Sequence, residues 1–232
     1  MISVATVVAI GVTSTGERTV LGAQTGPSED HQFWVAFLRS LVKRGLKGVR
    51  LVISDAHEGL RQAIAKVLHE TSWQRCRVHF MRNLLSTVPK GAQDTVAAIV
   101  RTIFAQPDHA SAMSRLGEVA RMLEERFPQA AELLEDAAED VLAHLHFPLE
   151  HRRRLHSTNP LERLHKEIKR RTRVVGIFPS RDSLMRLAGA LLAEQDDEWQ
   201  VSDRRYFSLG SMRKVDALEG GEDPKELLAQ IA

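Results

Sequence analysis

The 232-residue sequence is 43% hydrophobic and 27% charged and carries a formal net charge of +2. That length holds one large domain or two small ones around a buried core, and the near-neutral balance does not by itself announce a nucleic-acid partner. A single cysteine, Cys76, excludes an intrachain disulfide and suits a reducing compartment. No apolar run reaches the ~18–20 residues that cross a bilayer, and the N-terminus reads without a basic leader or small-residue cleavage site. A cytoplasmic protein is the expectation.

In chain order, "VATVVAIGV" (4–12) and "RTVLGAQ" (18–24) are β-branched runs around the polar "TSTGE", and Gly16 there predicts an antiparallel hairpin. The chain enters a strand-like run at its second residue, as expected of a domain whose start lies further upstream. "EDHQFWVAFLRSLVKRG" puts Phe33, Trp34, Phe37, Leu38 and Leu41 on one helical face, with Gly45 as the stop. "GVRLVISD" (48–55) is a continuous apolar run, typical of a strand covered on both faces, and it ends at Asp55. "EGLRQAIAKVLHE" follows as a helix with Leu60, Ile64 and Val67 facing inward. "SWQRCRVHF" predicts a short strand or turn leading to the helix "MRNLLSTV". From about residue 91 to 147 the pattern is helical, broken near Gln106-Pro107 and Phe127-Pro128. Two more helices, "STNPLERLHKEIKRRT" and "RDSLMRLAGALLAEQDDEW" (181–199), precede a Gly- and charge-rich tail expected to be poorly ordered. The order predicts an α/β layer interrupted by an all-helical insertion.

Charge is distributed unevenly. Residues 106–150 hold ten acids against Arg115, Arg121 and Arg126. The stretch "HSTNPLERLHKEIKRRTR" (156–173) holds six cations, Arg163, Lys166, Lys169, Arg170, Arg171 and Arg173, against Glu162 and Glu167. Such asymmetry points to an oriented anionic partner, and these cations are of the kind that bind phosphates.

Three places carry candidate chemistry. Asp55 closes a buried strand, where open α/β sheets place ligands and metals; from position it serves equally well as the cap of the next helix. His57 and Glu58 beside it read as solvated helix-start residues. Glu162 occupies the capping-box position behind Asn159 and Pro160 and stands four before Lys166, a favourable exposed pair. In "QRCRVHFMRN", Cys76 and His79 have C-x-x-H spacing, half of a zinc-type ligand set with no second pair of cysteines. Arg75, Arg77, Arg82 and Asn83 make a small basic cluster around it.

Taken together, "ISDAHEGLRQAI", "QRCRVHFMRNLL", "LHSTNPLERLHKEIKRRTRVVGIFPS" and the closing "DEWQVSDRRYF" resemble the mutator-type transposases of bacterial insertion sequences, from about residue 2 to 207. The resemblance implies an α/β, ribonuclease H-like core, its first strand unmatched, interrupted by an all-helical insertion. Residues 1–79 would be the first part of that core and 80–150 the insertion. Residues 151–207 would be the last part, with the basic helix and the glutamate, and 208–232 a tail.

Members of the family cut and join DNA with three acidic residues and a divalent cation, Mg²⁺ or Mn²⁺. By resemblance Asp55 matches the second aspartate and Glu162 the glutamate, both catalytic and metal-binding. Cys76 and His79 match the family's C-x-x-H signature. Arg75, Arg82, Asn83, Arg163, Lys166, Lys169, Arg170, Arg171 and Arg173 are the expected DNA contacts. The first aspartate and the region that reads the element's terminal repeats have no match, so little strand cleavage is expected of this chain by itself. The implied partners are DNA, at the element's ends and its target, and further copies of the chain or an intact transposase. No membrane is implied, and the implied location is the cytoplasm at the nucleoid. The rival readings are a non-enzymatic DNA-binding or assembly module that modulates an intact transposase, and a zinc protein built on Cys76 and His79.

Overall fold

The computed structural model describes residues 5–26 and 30–220. Its strands are β1 (Ala5–Val12), β2 (Arg18–Gly26), β3 (Leu51–Ser54) and β4 (Ser72–Arg75). The helices are α1 (His31–Lys43), α2 (Glu58–Val67), α3 (Arg77–Ser86), α4 (Gln93–Phe104), α5 (His109–Glu124), α6 (Pro128–Asp136), α7 (Ala138–Leu142), α8 (Leu149–Leu155), α9 (Asn159–Val175), α10 (Arg181–Gln200) and α11 (Leu209–Gly220). Short 3₁₀ turns fill Lys90–Ala92 and Ala143–His146. Helix and sheet are therefore mixed, as an α/β reading requires. Among the described residues the strands form two pairs, antiparallel β1–β2 and parallel β3–β4. The chain divides into a hairpin unit (Met1–Gly48, Gln62–Leu68 and Asn159–Ala232) and a helical unit (Val49–Arg61 and His69–Thr158).

In the hairpin unit, β1 and β2 pair from Ala5↔Gly26 to Val12↔Arg18, with a register shift between Ala9 and Ile10. The extra residue is Leu21, whose carbonyl is satisfied by the Arg44 guanidinium at 2.7 Å. The Asp196 carboxylate on α10 takes the amide of Val20 at 2.7 Å. Both contacts meet the rule that backbone groups leaving a ladder need another partner. Helix α1 starts at Asp30, which accepts from the Phe33 amide, and stops before Gly45 at φ 107°. The expected inner face is borne out for Phe37, Leu38 and Leu41, with Val35 joining them. A second core packs the apolar face of α9 (Leu164, Ile168, with Leu161) against Val8, Ile10 and Val20 of the hairpin and Ala188, Leu192 and Trp199 of α10. Residues 209–220 of the expected tail form α11, with Ser211, Val215 and Ala217 buried; its last part, 221–232, lies outside the described residues.

In the helical unit, β3 and β4 run side by side from Leu51↔Ser72 to Ser54↔Arg75. The strand expected over 48–55 is shorter than its apolar run, and Leu51, Val52 and Ile53 are half-buried rather than covered. The helical block holds the larger core, with Phe80, Leu84, Val100, Ile103, Val119, Leu134, Val141 and Leu142 fully buried. Its breaks fall where Pro107 and Pro128 predict them: Asp108 caps α5 through the Ser111 amide at 2.8 Å, and Pro128 opens α6. Helix α3 begins at Arg77, earlier than "MRNLLSTV" suggested, because β4 ends at Arg75 and Cys76 is already the N-cap residue of the helix.

Candidate functional site

The carboxyl ends of β3 and β4 are adjacent, and the Cys76 amide donates to the Ser54 carbonyl at 2.8 Å. Parallel strands deliver the residue after each strand to the same edge, so Asp55 and Cys76 become neighbours there. One turn into α3, His79 brings its Nδ1 to 2.6 Å from Oδ1 of Asp55, a charge pair when the imidazole is protonated. The ligand-type atoms of Asp55, Cys76 and His79 all lie within 4.8 Å of one another. The Asp55 side chain is 54% exposed, while Cys76 is fully buried.

The capping alternative for Asp55 goes to its neighbour instead. His57 accepts the Leu60 amide through Nδ1 at 3.2 Å and Glu58 opens α2, so both are helix-start residues as expected. Behind Asp55, Ser54 donates to the Asp55 carbonyl at 2.9 Å and accepts the Trp73 indole N–H at 2.8 Å. The strand end is thus held by hydrogen bonds while the carboxylate faces solvent.

Cys76 is engaged from the other side. Its sulfur accepts from the Thr158 amide at 3.4 Å and the Thr158 hydroxyl at 3.3 Å. The Arg77 amide donates to the His156 carbonyl at 2.9 Å. These bonds fasten the segment before α9 to the start of α3. Deeper still, the fully buried Gln74 amide bonds in four directions. Its Oε1 accepts from the His144 amide at 2.7 Å and from Nδ1 of His144 at 3.0 Å, and its Nε2 donates to the Val141 and Arg75 carbonyls at 3.0 and 2.7 Å. With Nδ1 assigned as the donor from this network, His144 is neutral. Burial, with Arg77, His156 and Arg152 nearby, pushes its pKa down to about 3.

The basic cluster divides. Arg82 and Asn83 are exposed on α3. Arg75 is half-buried, its guanidinium 5.2 Å from the Phe80 ring centre; burial lowers its pKa, opposed by the Asp140 carboxylate. Arg77 stacks over Phe104 at 4.9 Å. Glu162 lies in the first turn of α9, half-buried, in the hairpin unit. On the same helix Glu167 takes two bonds from Arg170, at 2.7 and 2.9 Å, and one from Arg171 at 2.9 Å. Those bonds hold its carboxyl down to about 2. Arg163, Lys169, Arg171 and Arg173 are exposed along the same helix, as is Lys166.

Thr158, Gln74 and His144 were not singled out by sequence reasoning. Thr158 and Gln74 lie inside motifs quoted above, but nothing local marks a polar side chain as buried. His144 had no signal at all.

The sequence profile of the family described as Transposase, Mutator family, matches residues 1–202. The chain belongs to this family. Among mutator-family relatives, the transposase for insertion sequence element IS1081 of Mycobacterium tuberculosis is 44% identical over 225 residues, 97% of this chain and 54% of its own length. The transposase for IS406 of Burkholderia multivorans is 44% identical over 202 residues, 87% of this chain and 52% of its own. The transposase for IS256 in transposon Tn4001 of Staphylococcus aureus is 38% identical over 203 residues, 87% and 52% of the two lengths. This mutator-family chain thus spans about half the length of the curated relatives it matches. No helix among its described residues is long and apolar enough to cross a membrane.

Proposed function

We propose that this chain carries part of the catalytic core of an insertion-sequence transposase, with a ribonuclease H-like arrangement in which Asp55 and Glu162 serve DNA cleavage and strand transfer. The observation that carries the reading is the placement of Asp55: an exposed carboxylate at the carboxyl end of a parallel strand pair, steadied by His79 at 2.6 Å. Its carboxylate oxygens suit a hard divalent cation such as Mg²⁺ or Mn²⁺. Cys76, buried and occupied by Thr158, suits such an ion poorly, so the C-x-x-H pair serves better as scaffold than as ligand set.

In this reading Asp55 would contribute a carboxylate to a divalent metal, and Glu162 is proposed, by its match to the family's glutamate, as a catalytic and metal-binding carboxylate in its own right. When bound, paired divalent ions supply a polarised attacking oxygen and a stabilised leaving oxygen in an in-line phosphoryl displacement. His79 fixes the orientation of the Asp55 carboxylate, and Cys76 fixes the segment leading into α9. The cations of α9, with Arg82 and Asn83 on α3, bind the DNA backbone. By resemblance two of the family's three acids are matched here, so these 232 residues by themselves are expected to bind DNA and metal with little or no strand cleavage. Further copies of the chain, or a complete transposase, are the expected protein partners.

Titration with Mn²⁺, followed by the loss of its free-ion resonance signal, tests the site. Binding weakened at least about tenfold by Asp55→Asn is expected, with supercoiled DNA left un-nicked. Mn²⁺ affinity untouched by Asp55→Asn would overturn the assignment. Nicking that depends on Asp55 would overturn the expected inactivity while keeping the site. DNA binding without Asp55-dependent metal binding would favour the rival, a binding module that modulates an intact transposase.

A further inference from the structure

We propose that His109, Glu139 and His146, on the helical unit, form a binding site for a borderline transition-metal dication of the Zn²⁺ or Co²⁺ class. The three residues come from three elements: the first residue of α5, the second of α7 and the last of the 3₁₀ turn at Ala143–His146. Their ligand-type atoms all lie within 4.8 Å of one another. Nε2 of His109 is 3.2 Å from Oε2 of Glu139, and the two imidazole rings stack with centres 4.1 Å apart and planes 32° apart.

A plain ion pair accounts for His109 with Glu139. It does not account for the second imidazole, His146, set face to face against the first. Two imidazoles and one carboxylate make the three-ligand set that leaves a fourth tetrahedral position to water. Nitrogen donors favour Zn²⁺, Co²⁺ or Ni²⁺ over the hard Mg²⁺ expected at Asp55.

The backbone beneath the site is pinned without metal. Arg152 donates through Nη1 to the Pro107 carbonyl at 2.6 Å and through Nε to the Phe147 carbonyl at 2.9 Å. Those carbonyls stand two residues before His109 and one after His146, so one guanidinium ties the two histidine-bearing segments together. Asp108 is spent on capping α5 and is not a ligand. The site is accessible, with the Glu139 side chain 70% and His109 22% exposed. A bound ion would staple α5, α7 and the turn, independently of the role given to Asp55.

The test is titration of metal-stripped protein with Co²⁺ alone, followed by visible absorption, and with Zn²⁺ alone, followed by calorimetry and thermal unfolding. In the Asp55→Asn background, which removes the other proposed cation site, one ion should bind with the bands of a nitrogen–oxygen site and without a sulfur charge-transfer band, which would mark Cys76. Either His146→Ala or His109→Ala should weaken binding at least about 100-fold, beyond the usual cost of losing a supporting contact. Zn²⁺ at about a hundred times its Kd should raise Tm by roughly 5–10 °C, an increase lost in His146→Ala. His146 is exposed, so that variant stays folded and readable even if His109→Ala does not. Failure of either ion to bind, binding that survives the double His109/His146 replacement, or binding removed by Cys76→Ser instead would overturn the proposal.

Discussion

The sulfur of Cys76 accepts two hydrogen bonds from Thr158, a residue 82 positions further along the chain and the last before α9. A buried thiol here acts as an acceptor for a backbone amide that has left regular structure, so the motif cysteine carries a structural load that its spacing to His79 does not suggest.

Replacing Cys76 with Ala removes both hydrogen bonds that its sulfur accepts from Thr158 in a buried setting and should cost about 1–3 kcal/mol. Cys76→Ser retains an acceptor and should cost less. Thr158→Val removes one bond and should cost about 1 kcal/mol. Urea unfolding of the three variants checks the order, and an unchanged midpoint for Cys76→Ala would show the clasp to be dispensable.

Acid should destabilise the helical unit through His144. Its folded pKa, about 3, lies below the ordinary value of 6.5, so the unfolded chain takes up the proton first. Stability is then complete above pH 6.5 and falls as the pH drops from about 6.5 toward 3, by roughly 1.4 kcal/mol per pH unit once well below 6.5. His156, also depressed by burial and Arg77, acts in the same direction. Unfolding measured from pH 8 to pH 4 should show the slope, and His144→Gln should flatten it despite lowering stability at pH 8.

DNA binding should depend on Glu167 in an unexpected sense. Glu167 occupies Arg170 and Arg171, so Glu167→Gln releases two cations to phosphate and should steepen the log K against log salt slope by about 1–2. Replacing Lys169, Arg170 and Arg171 with Ala should flatten the slope by less than the ~2.7 that three unpaired cations would give. Filter binding or fluorescence anisotropy over a salt series reads both. A slope identical in all three proteins would remove this face of α9 from the DNA path.

Gly16 should be the least replaceable glycine of the hairpin unit. It has φ 82°, its carbonyl accepts the Phe207 amide at 2.9 Å, and a Cβ there would overlap the Phe207 carbonyl oxygen. Gly45, at φ 107°, has open space around it. Gly16→Ala should therefore cost more than the ~1–3 kcal/mol of backbone strain expected for Gly45→Ala. Thermal melts compare them, and equal losses would contradict the packing argument.

Much of the local structure was legible. The "TSTGE" turn between β-branched runs set the hairpin, Pro107 and Pro128 set the helix breaks, and the spacing of Leu161, Leu164 and Ile168 set the inner face of α9. These signals arise within a few residues, where turn chemistry, proline and helical period act. Burial of β3 was overread, because an apolar run reports hydrophobicity but not what lies on each face. Of the candidate site, motif order picked out Asp55, Cys76, His79 and Glu162. Their contacts were hidden, since the Cys76–Thr158 bonds and the Gln74–His144 network join residues 70 or more positions apart.

By itself, then, the sequence determined the element order, the family motifs and the cationic character of the helix after Asn159. The tertiary structure decided which of those groups are spent on the fold and which face solvent. It spent Arg170 and Arg171 on Glu167, Cys76 on Thr158 and His57 on the start of α2, and left the Asp55 carboxylate exposed beside His79. The reason is physical: hydrogen bonds and charge pairs form between side chains that pairing and packing bring within about 3 Å, and no residue's type or spacing encodes that distance.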